Sequence, residues 1–416
     1  MKSIKMNFKI LLVPIVAASM ILTSCNKDLE SFAVPTAPVV TPPTGTTISS
    51  YISTNSNYSF FDTALRATGL YAAVLNQPGA YTVFAPDNNA IKALINGLNP
   101  LVPLGAPDAT FITVIKDPSV RAQLTSVLLY HIMVSKLPTA NFPTAFPNAA
   151  FSSKIPLDAS GAIRMNLFPS ARPGQNYVNN VPITAPDLFT GSNGVVHGIP
   201  APLVPPTLLL GQIIDANANL TYLKAAIARA DSGVAAGSTL DAATRNGLAN
   251  LTVFAPSDAA FKAALTAVVY VKLVRDGATP GLATQTQAAT TVNTLGTSIF
   301  TNPAFFSALS AQTVKGIVVY HILGVRAYAS NMPAVATNIP TLLNSALPTH
   351  EGIKLQSTFT GAAPFVATAL NVTGKVSLVD GSTNFSGPAA TATTKDINAV
   401  NGVVHIIDQV LVPQGL

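Results

Sequence analysis

Glutamate is nearly missing from this chain, occurring only at Glu30 and Glu351. Charged residues make up 10% of the whole, against roughly 25% in an ordinary soluble protein. So few carboxylates leave little room for the paired acids of glycoside hydrolysis. Cysteine occurs once, at Cys25, which excludes an internal disulfide and leaves each folded part to hold together by burial alone. There is no basic run and no basic patch interleaved with aromatics, so binding of nucleic acid, which rests on phosphate neutralisation, has no support. The motifs G-x-S-x-G, P-loop, G-x-G-x-x-G, H-E-x-x-H and C-x-x-C are all absent, and with them the common routes to catalysis and metal binding. The surface must instead be covered by Thr, Ser, Asn, Ala and Pro. Such a surface steers charged ligands weakly and suits slow, multivalent or matrix contacts.

The beginning of the chain reads as an address. Lys2, Lys5 and Lys9 precede an apolar run of 13 residues, Ile10 to Leu22. That is shorter than the roughly 20 residues a membrane span needs and fits the core of a signal peptide, expected over residues 1–24. Removing those three lysines takes the formal charge from +6 to +3. The run ends in Leu22-Thr23-Ser24-Cys25, which resembles the bacterial lipoprotein box. That resemblance implies a diacylated Cys25, palmitate-like chains in the outer membrane, and no need for a transmembrane helix. Lys27, Asp28 and Glu30 just after it look like the surface-export signal of Bacteroidota lipoproteins, which implies attachment facing the cell exterior. Residues 25–47 are rich in Pro and Thr without apolar periodicity and read as a semi-rigid tether.

From there the chain says the same thing twice. TVFAPDNNAIKAL (Thr82 to Leu94) returns as TVFAPSDAAFKAAL (Thr252 to Leu265). LLYHI (Leu128 to Ile132) returns as VVYHI (Val318 to Ile322), and NGVVH (Asn193 to His197) as NGVVH (Asn401 to His405). The three offsets grow along the chain, 170, 190 and 208, as expected of one duplicated unit with insertions in its second copy. Repeats this long are tandem domains, since solenoid units run roughly 20–50 residues. Domains are expected at 48–206 and 207–416, separated by a stiff joint of few cross-contacts at Pro200 to Pro206.

Within each copy the landmarks predict local structure. Phe61, Ala64, Leu65, Thr68, Ala72 and Leu75 share a helical face, with Tyr222 to Ala230 as the counterpart. Tyr81 to Phe84 and Leu251 to Phe254 read as strands, followed by helices capped by Asp87 and Ser257. Asp117-Pro118 marks a helix start whose stripe is Val120, Leu124, Val127, Leu128 and His131; Val314, Ile317, Val318 and His321 repeat it. Each Asn-Gly predicts a tight turn before a final strand. The extra length of the second copy, around Asp231 to Asn250 and Tyr270 to Phe300, reads as surface insertion. Asp62-Thr63-Ala64 matches a short O-glycosylation pattern, on a predicted helix.

TVFAP, a polar cap and an apolar helix, then a YH helix, then NGVVH and a closing Leu-Val-Pro together resemble the fasciclin domain. The resemblance covers both copies. It implies an α+β fold, two tandem fasciclin-like domains in which a β-wedge or sandwich of short strands packs with several helices. It also implies adhesion or matrix contact without catalysis, cofactor or metal, and a partner that is an extracellular protein or polysaccharide. A glycan or lipid held in a pocket of one domain is the alternative. From animal relatives it implies partner binding at Tyr130, His131, Tyr320 and His321. The position of His131 and His321 on apolar stripes, and of His197 and His405 after Val-Val, points instead to packing.

Overall fold

TVFAP forms an interior strand of a sheet in each copy. The computed structural model describes residues 44–361, 365–374 and 389–413; the leader, Cys25 and most of the tether lie outside them. In the first copy helices α1 (Ile48–Thr54) and α2 (Ser59–Ala67) precede strand β1 (Tyr81–Pro86). Helices α3 (Asn88–Leu98), α4 (Asp108–Lys116) and α5 (Pro118–Tyr130) follow. Next come strands β2 (Ile132–Met133), β3 (Phe151–Pro156) and β4 (Arg164–Leu167). A meander of β5 (Pro169–Arg172), β6 (Gln175–Val178) and β7 (Val181–Ile183) leads to a closing hairpin, β8 (Ala185–Gly191) and β9 (Gly194–Ile199).

The second copy repeats this plan. It runs α6 (Leu210–Ala216), α7 (Thr221–Ala230), α8 (Leu240–Arg245), β10 (Leu251–Pro256), α9 (Asp258–Arg275), α10 (Leu282–Leu295) and α11 (Ala311–Tyr320). Strands β11 (Ile322–Leu323), β12 (Thr337–Ile339), β13 (Ile353–Phe359), β14 (Ala367–Thr373), β15 (Ala390–Ala399) and β16 (Gly402–Ile407) complete it.

The two sheets are built alike. β1 pairs in parallel with β9, Tyr81 opposite Gly194 through Pro86 opposite Ile199, and antiparallel with β2. β10 pairs in the same way with β16, Leu251 opposite Gly402 through Pro256 opposite Ile407, and with β11. A strand flanked on both edges and covered on both faces should be continuously apolar, and Val83, Phe84, Ala85, Val253, Phe254 and Ala255 are all buried. The first sheet has strand order β4-β3-β2-β1-β9-β8 and the second β11-β10-β16-β15-β14-β13-β12. Helices cover one face of each sheet, where Phe61, Leu65, Ile91 and Leu128, or Leu223, Phe261, Leu265 and Val318, form the core. Further strands cover the other face, around Phe84, Leu167 and Val178 or around Phe254, Leu355 and Leu370. The α+β architecture is as expected.

The predicted caps are in place. Asp87 accepts from Ala90 N at 2.8 Å, Ser257 from Ala260 N at 3.2 Å and Asp117 from Ser119 N at 2.8 Å. The first helical stripe differs: α2 stops at Ala67, Gly69 follows at φ +77°, and a π-helical turn over Tyr71–Leu75 carries Val74 and Leu75 into the core. Glycine at left-handed φ ends the helix without the strain a Cβ would bring.

The second-copy stretches expected as surface insertions do more than that. Leu240 and Thr244 of α8 are buried, and α10 buries Thr284, Ala288 and Val292 beside Ile299 and Phe300 of the turn after it. Ala and Thr at every fourth position hide an inward face that contains only one large apolar residue.

The joint between the copies also differs from expectation. Leu203, in its middle, is buried, and cross-contacts are extensive. Phe168 of the first copy packs with Tyr328 and Val403 of the second. Arg172 Nε donates to Ser330 O at 3.3 Å and its Nη2 to Asn331 O. Ser170 Oγ donates to Asn331 Oδ1 at 2.6 Å, Ser330 Oγ to Asn179 O at 3.0 Å, and Tyr177 to Phe365 O. Arg326, 3% exposed, lies over the Phe168 ring at 5.1 Å and donates to Asn250, Asn398 and Val400 O. A guanidinium is the cation best suited to such a place, being weakly hydrated and able to stack on a ring while donating in its plane.

Candidate functional site

All four motif histidines are sealed in the fold. His131 sits at the C-cap of α5, where its Nδ1 donates to Val127 O at 2.8 Å and its Nε2 accepts from Leu203 N at 2.9 Å. His321 repeats this at the end of α11, with Ile317 O at 2.8 Å and Leu411 N at 2.8 Å. Each ring therefore ties the last turn of a helix to the segment that follows the closing strand. An amide N–H can be received only by an unprotonated nitrogen, so both rings are neutral and their tautomer is fixed. Burial is the main cause that lowers the pKa of each from 6.5 to about 4.

His197 and His405 perform a second clip. His197 Nε2 donates to Leu137 O at 3.0 Å while Nδ1 accepts from Asp187 N at 3.0 Å. His405 Nε2 donates to Ala327 O at 2.9 Å and its Nδ1 accepts from Asp396 N at 3.2 Å. Asp187 and Asp396 both have positive φ, 47° and 60°, and their carboxylates reach back to the same loop. Asp187 accepts from Thr139 N at 3.1 Å and Asp396 from Ala329 N at 2.8 Å. Desolvation again holds both imidazoles below their ordinary range, more than the nearby carboxylates raise them.

Tyr130 and Tyr320, the remaining residues to which the resemblance assigned a partner, have no exposed surface. Tyr130 Oη donates to Asn166 O at 3.1 Å and accepts from Asn179 Nδ2 at 3.2 Å; Tyr320 Oη donates to Gly352 O at 2.7 Å. With His131 fully buried and His321 2% exposed, the four residues offer a partner no accessible face. They pack. Among the described residues no group of three or more His, Cys, Asp or Glu side chains is placed to hold a metal, and no helix is long and apolar enough to cross a membrane.

One concave surface stands apart from these motifs. A groove of about 670 Å³ runs along the outer face of α10, lined among others by Thr286, Gln287, Thr290, Thr294, Asn302 and Phe305. Its lining carries no charged side chain.

With these arrangements in view, the comparison with known proteins is direct. The family model described as "Fasciclin domain" matches residues 56–205 and 283–413, more than half of the chain. This chain belongs to the fasciclin domain family. Fasciclin domains are linked to cell adhesion and are generally non-enzymatic. The second match begins inside α10, although β10 and the capped α9 follow one another there just as β1 and α3 do in the first fasciclin copy. "Protein sll1483" of Synechocystis sp. is 28% identical over 152 residues, which is 36% of this chain and 69% of that protein. Among solved structures, a FAS1 domain pair from the insect cell adhesion molecule fasciclin I is similar at 14% identity. It covers 85% of this chain and 95% of its own, with a TM-score of 0.30.

Two sets of residues central to the fasciclin core were not read from the sequence as such. Asn193 and Asn401 are fully buried. Asn193 accepts from Ile48 N at 2.9 Å and donates to Leu75 O at 2.6 Å, and Asn401 accepts from Leu210 N and donates to Thr244 O and Asn246 O. Their recurrence in NGVVH was visible, but as a turn signal. The aspartates of the second clip were hidden because Asp187 lies ten residues before its histidine and Asp396 nine, with shifts of strand register in between.

Proposed function

We propose that this protein is a non-enzymatic adhesion or matrix-binding lipoprotein of the cell surface, anchored in the outer membrane through lipid on Cys25 and facing outward. The observation that carries this reading is the commitment of every motif histidine and tyrosine to the interior. The four motif histidines are neutral, buried and hydrogen-bonded to the backbone. What remains for function is an exterior poor in charge, on two fasciclin domains packed against each other at the end of a Pro/Thr-rich tether. The partner is then an extracellular protein or polysaccharide matrix, with the membrane engaged only through the lipid.

Cell fractionation tests the anchor: Cys25→Ser should move the protein out of the membrane fraction and abolish uptake of labelled fatty acid. Surface adhesion tests the role. Cells expressing the wild-type chain should adhere to matrix-coated surfaces more than cells lacking it, and continued adhesion without the protein would remove the proposal. A second reading, an envelope protein that captures a glycan or lipid, is favoured by the α10 groove, where threonine hydroxyls and amides lie among a larger apolar surface.

A further inference from the structure

From the geometry of α10 we infer that its outer face, in the second copy, is a docking groove for a neutral polysaccharide chain. The inference rests on the adhesion reading above and names its partner class. No charged residue occurs between Asp276 and Lys315, so the whole of α10 and the segment returning from it are uncharged. The helix divides cleanly: Thr284, Ala288 and Val292 are buried, while Thr286, Thr290 and Thr294 line the groove on the opposite side. Residues four apart rise about 6 Å along the axis, so the three hydroxyls form a straight row at a spacing comparable with one sugar unit of an extended chain.

The chemistry of the row selects the ligand. Thr286 donates its hydroxyl proton to Leu282 O at 3.0 Å and Thr290 to Thr286 O at 2.9 Å, as Thr291 does to Gln287 O at 2.8 Å. With those protons committed to the helix, each oxygen presents acceptor lone pairs outward. A ligand must therefore bring donors, which sugar hydroxyls do. Asn302 Oδ1 accepts from Ala304 N at 3.0 Å, which leaves its amide N–H groups to donate. The partly exposed Leu295 side chain, the methyl groups of the threonines and the edge of the otherwise buried Phe305 ring supply the apolar part of the lining, against which the C–H face of a sugar can lie.

The alternatives fit less well. An acidic polymer finds no cation in the lining, and an acyl chain would strand the threonine oxygens. A second copy of this chain would bury acceptors against acceptors, at the cost of unsatisfied polar groups. The corresponding helix of the first copy, α4, differs in that it carries Asp108 in an ion pair with Lys92 at 2.8 Å.

The test is affinity electrophoresis of the full-length chain in detergent micelles through gels containing dextran, mannan or xylan, with alginate as an acidic counterpart. At least one neutral polymer should retard the wild type, with little change between low and physiological salt. The triple variant Thr286→Val, Thr290→Val, Thr294→Val should weaken that retardation at least tenfold while keeping the wild-type melting temperature. Thr113→Val, which removes a similarly back-bonded hydroxyl on α4, should leave it unchanged. Retardation by none of the neutral polymers, equal retardation of the triple variant, or preference for alginate overturns the groove assignment. So does a wild-type dimer in sedimentation that the triple variant loses. Adhesion of cells carrying the triple variant separates the two levels: if they still adhere as wild type does, the groove assignment falls and the adhesion role stands.

Discussion

Replacing Phe168 by Ala should uncouple the two halves of the molecule. The ring is fully buried where the copies meet, 6.0 Å from Tyr328 and beneath Arg326 at 5.1 Å. Truncating a buried Phe costs about 3–5 kcal/mol in lost transfer energy and cavity. Arg326 also loses its ring, an interaction worth about 2 kcal/mol when desolvated. These terms overlap, so a combined loss of about 4 kcal/mol is expected, a large share of a domain stability of roughly 5–15 kcal/mol. The assay is urea denaturation of the full chain followed by far-ultraviolet circular dichroism and by tyrosine fluorescence, since tryptophan is absent. The wild type should unfold in one step with both probes coincident. Leu65→Ala, in the helical core of the first copy and remote from the interface, should then shift that whole step. In a Phe168→Ala background the curve should split, with a smaller slope for each part, and Leu65→Ala should move only one of them. Two resolved steps in the wild type, or a second-copy step indifferent to Leu65→Ala while Phe168 is intact, would refute the coupling.

Acid should destabilise the protein well before the carboxylates titrate. The folded pKa of His131 and His321, about 4, lies below the unfolded 6.5, so the unfolded state binds more protons between those values. Stability from each ring is complete above pH 6.5 and falls by about 3 kcal/mol as pH drops toward 4; a urea midpoint that stays flat from pH 7 to 4.5 would contradict this. Asn193→Ala and Asn401→Ala each strand buried backbone donors and acceptors and should cost about 1–3 kcal/mol, read as a lowered melting temperature. Gly194→Ala and Gly402→Ala would place a Cβ 2.1 and 2.3 Å from the carbonyl oxygens of Tyr81 and Leu251. Each should destabilise by about 1–3 kcal/mol through forced separation of the parallel strands, again by thermal melting.

Local structure was legible where one residue type has one physical job. Asp87, Ser257 and Asp117-Pro118 start helices because a short polar side chain or a missing N–H suits a helix N-terminus. Continuous VFA runs are interior strands whose two faces are both covered. The inward face of α10 was not legible, since Ala and Thr at a period of four look the same on a surface as in a core. The packing of the copies was missed for a different reason. Four prolines between Pro200 and Pro206 do stiffen the joint, but stiffness says nothing about what lies on either side. Phe168, Arg172, Arg326 and Tyr328 are unremarkable until the fold brings them together. Among the candidate site residues, the apolar stripes correctly placed His131 and His321 inside, and all four residues to which the resemblance assigned a partner are buried. The leader and Cys25 lie beyond the described residues, so their reading still rests on the sequence.

Comparing the two copies separates what holds the fold from what the molecule does. The aspartate that feeds an N–H to the closing-strand histidine is ten residues upstream in one copy and nine in the other, yet the imidazole accepts and donates to equivalent partners in both. The shifts in strand register absorb the difference, so the hydrogen-bond pattern is kept while the spacing is not. A pattern preserved across such a change is one the core requires, since a buried imidazole or asparagine without partners costs about 1–3 kcal/mol. TVFAP, YH and NGVVH are therefore marks of the fasciclin fold, and they would recur in a copy that bound nothing. Function must be sought where the copies differ and the surface is exposed. The second copy's α10, with its uncharged outer row, is such a place, and the first copy's α4, ion-paired through Asp108, shows that the fold itself does not demand it.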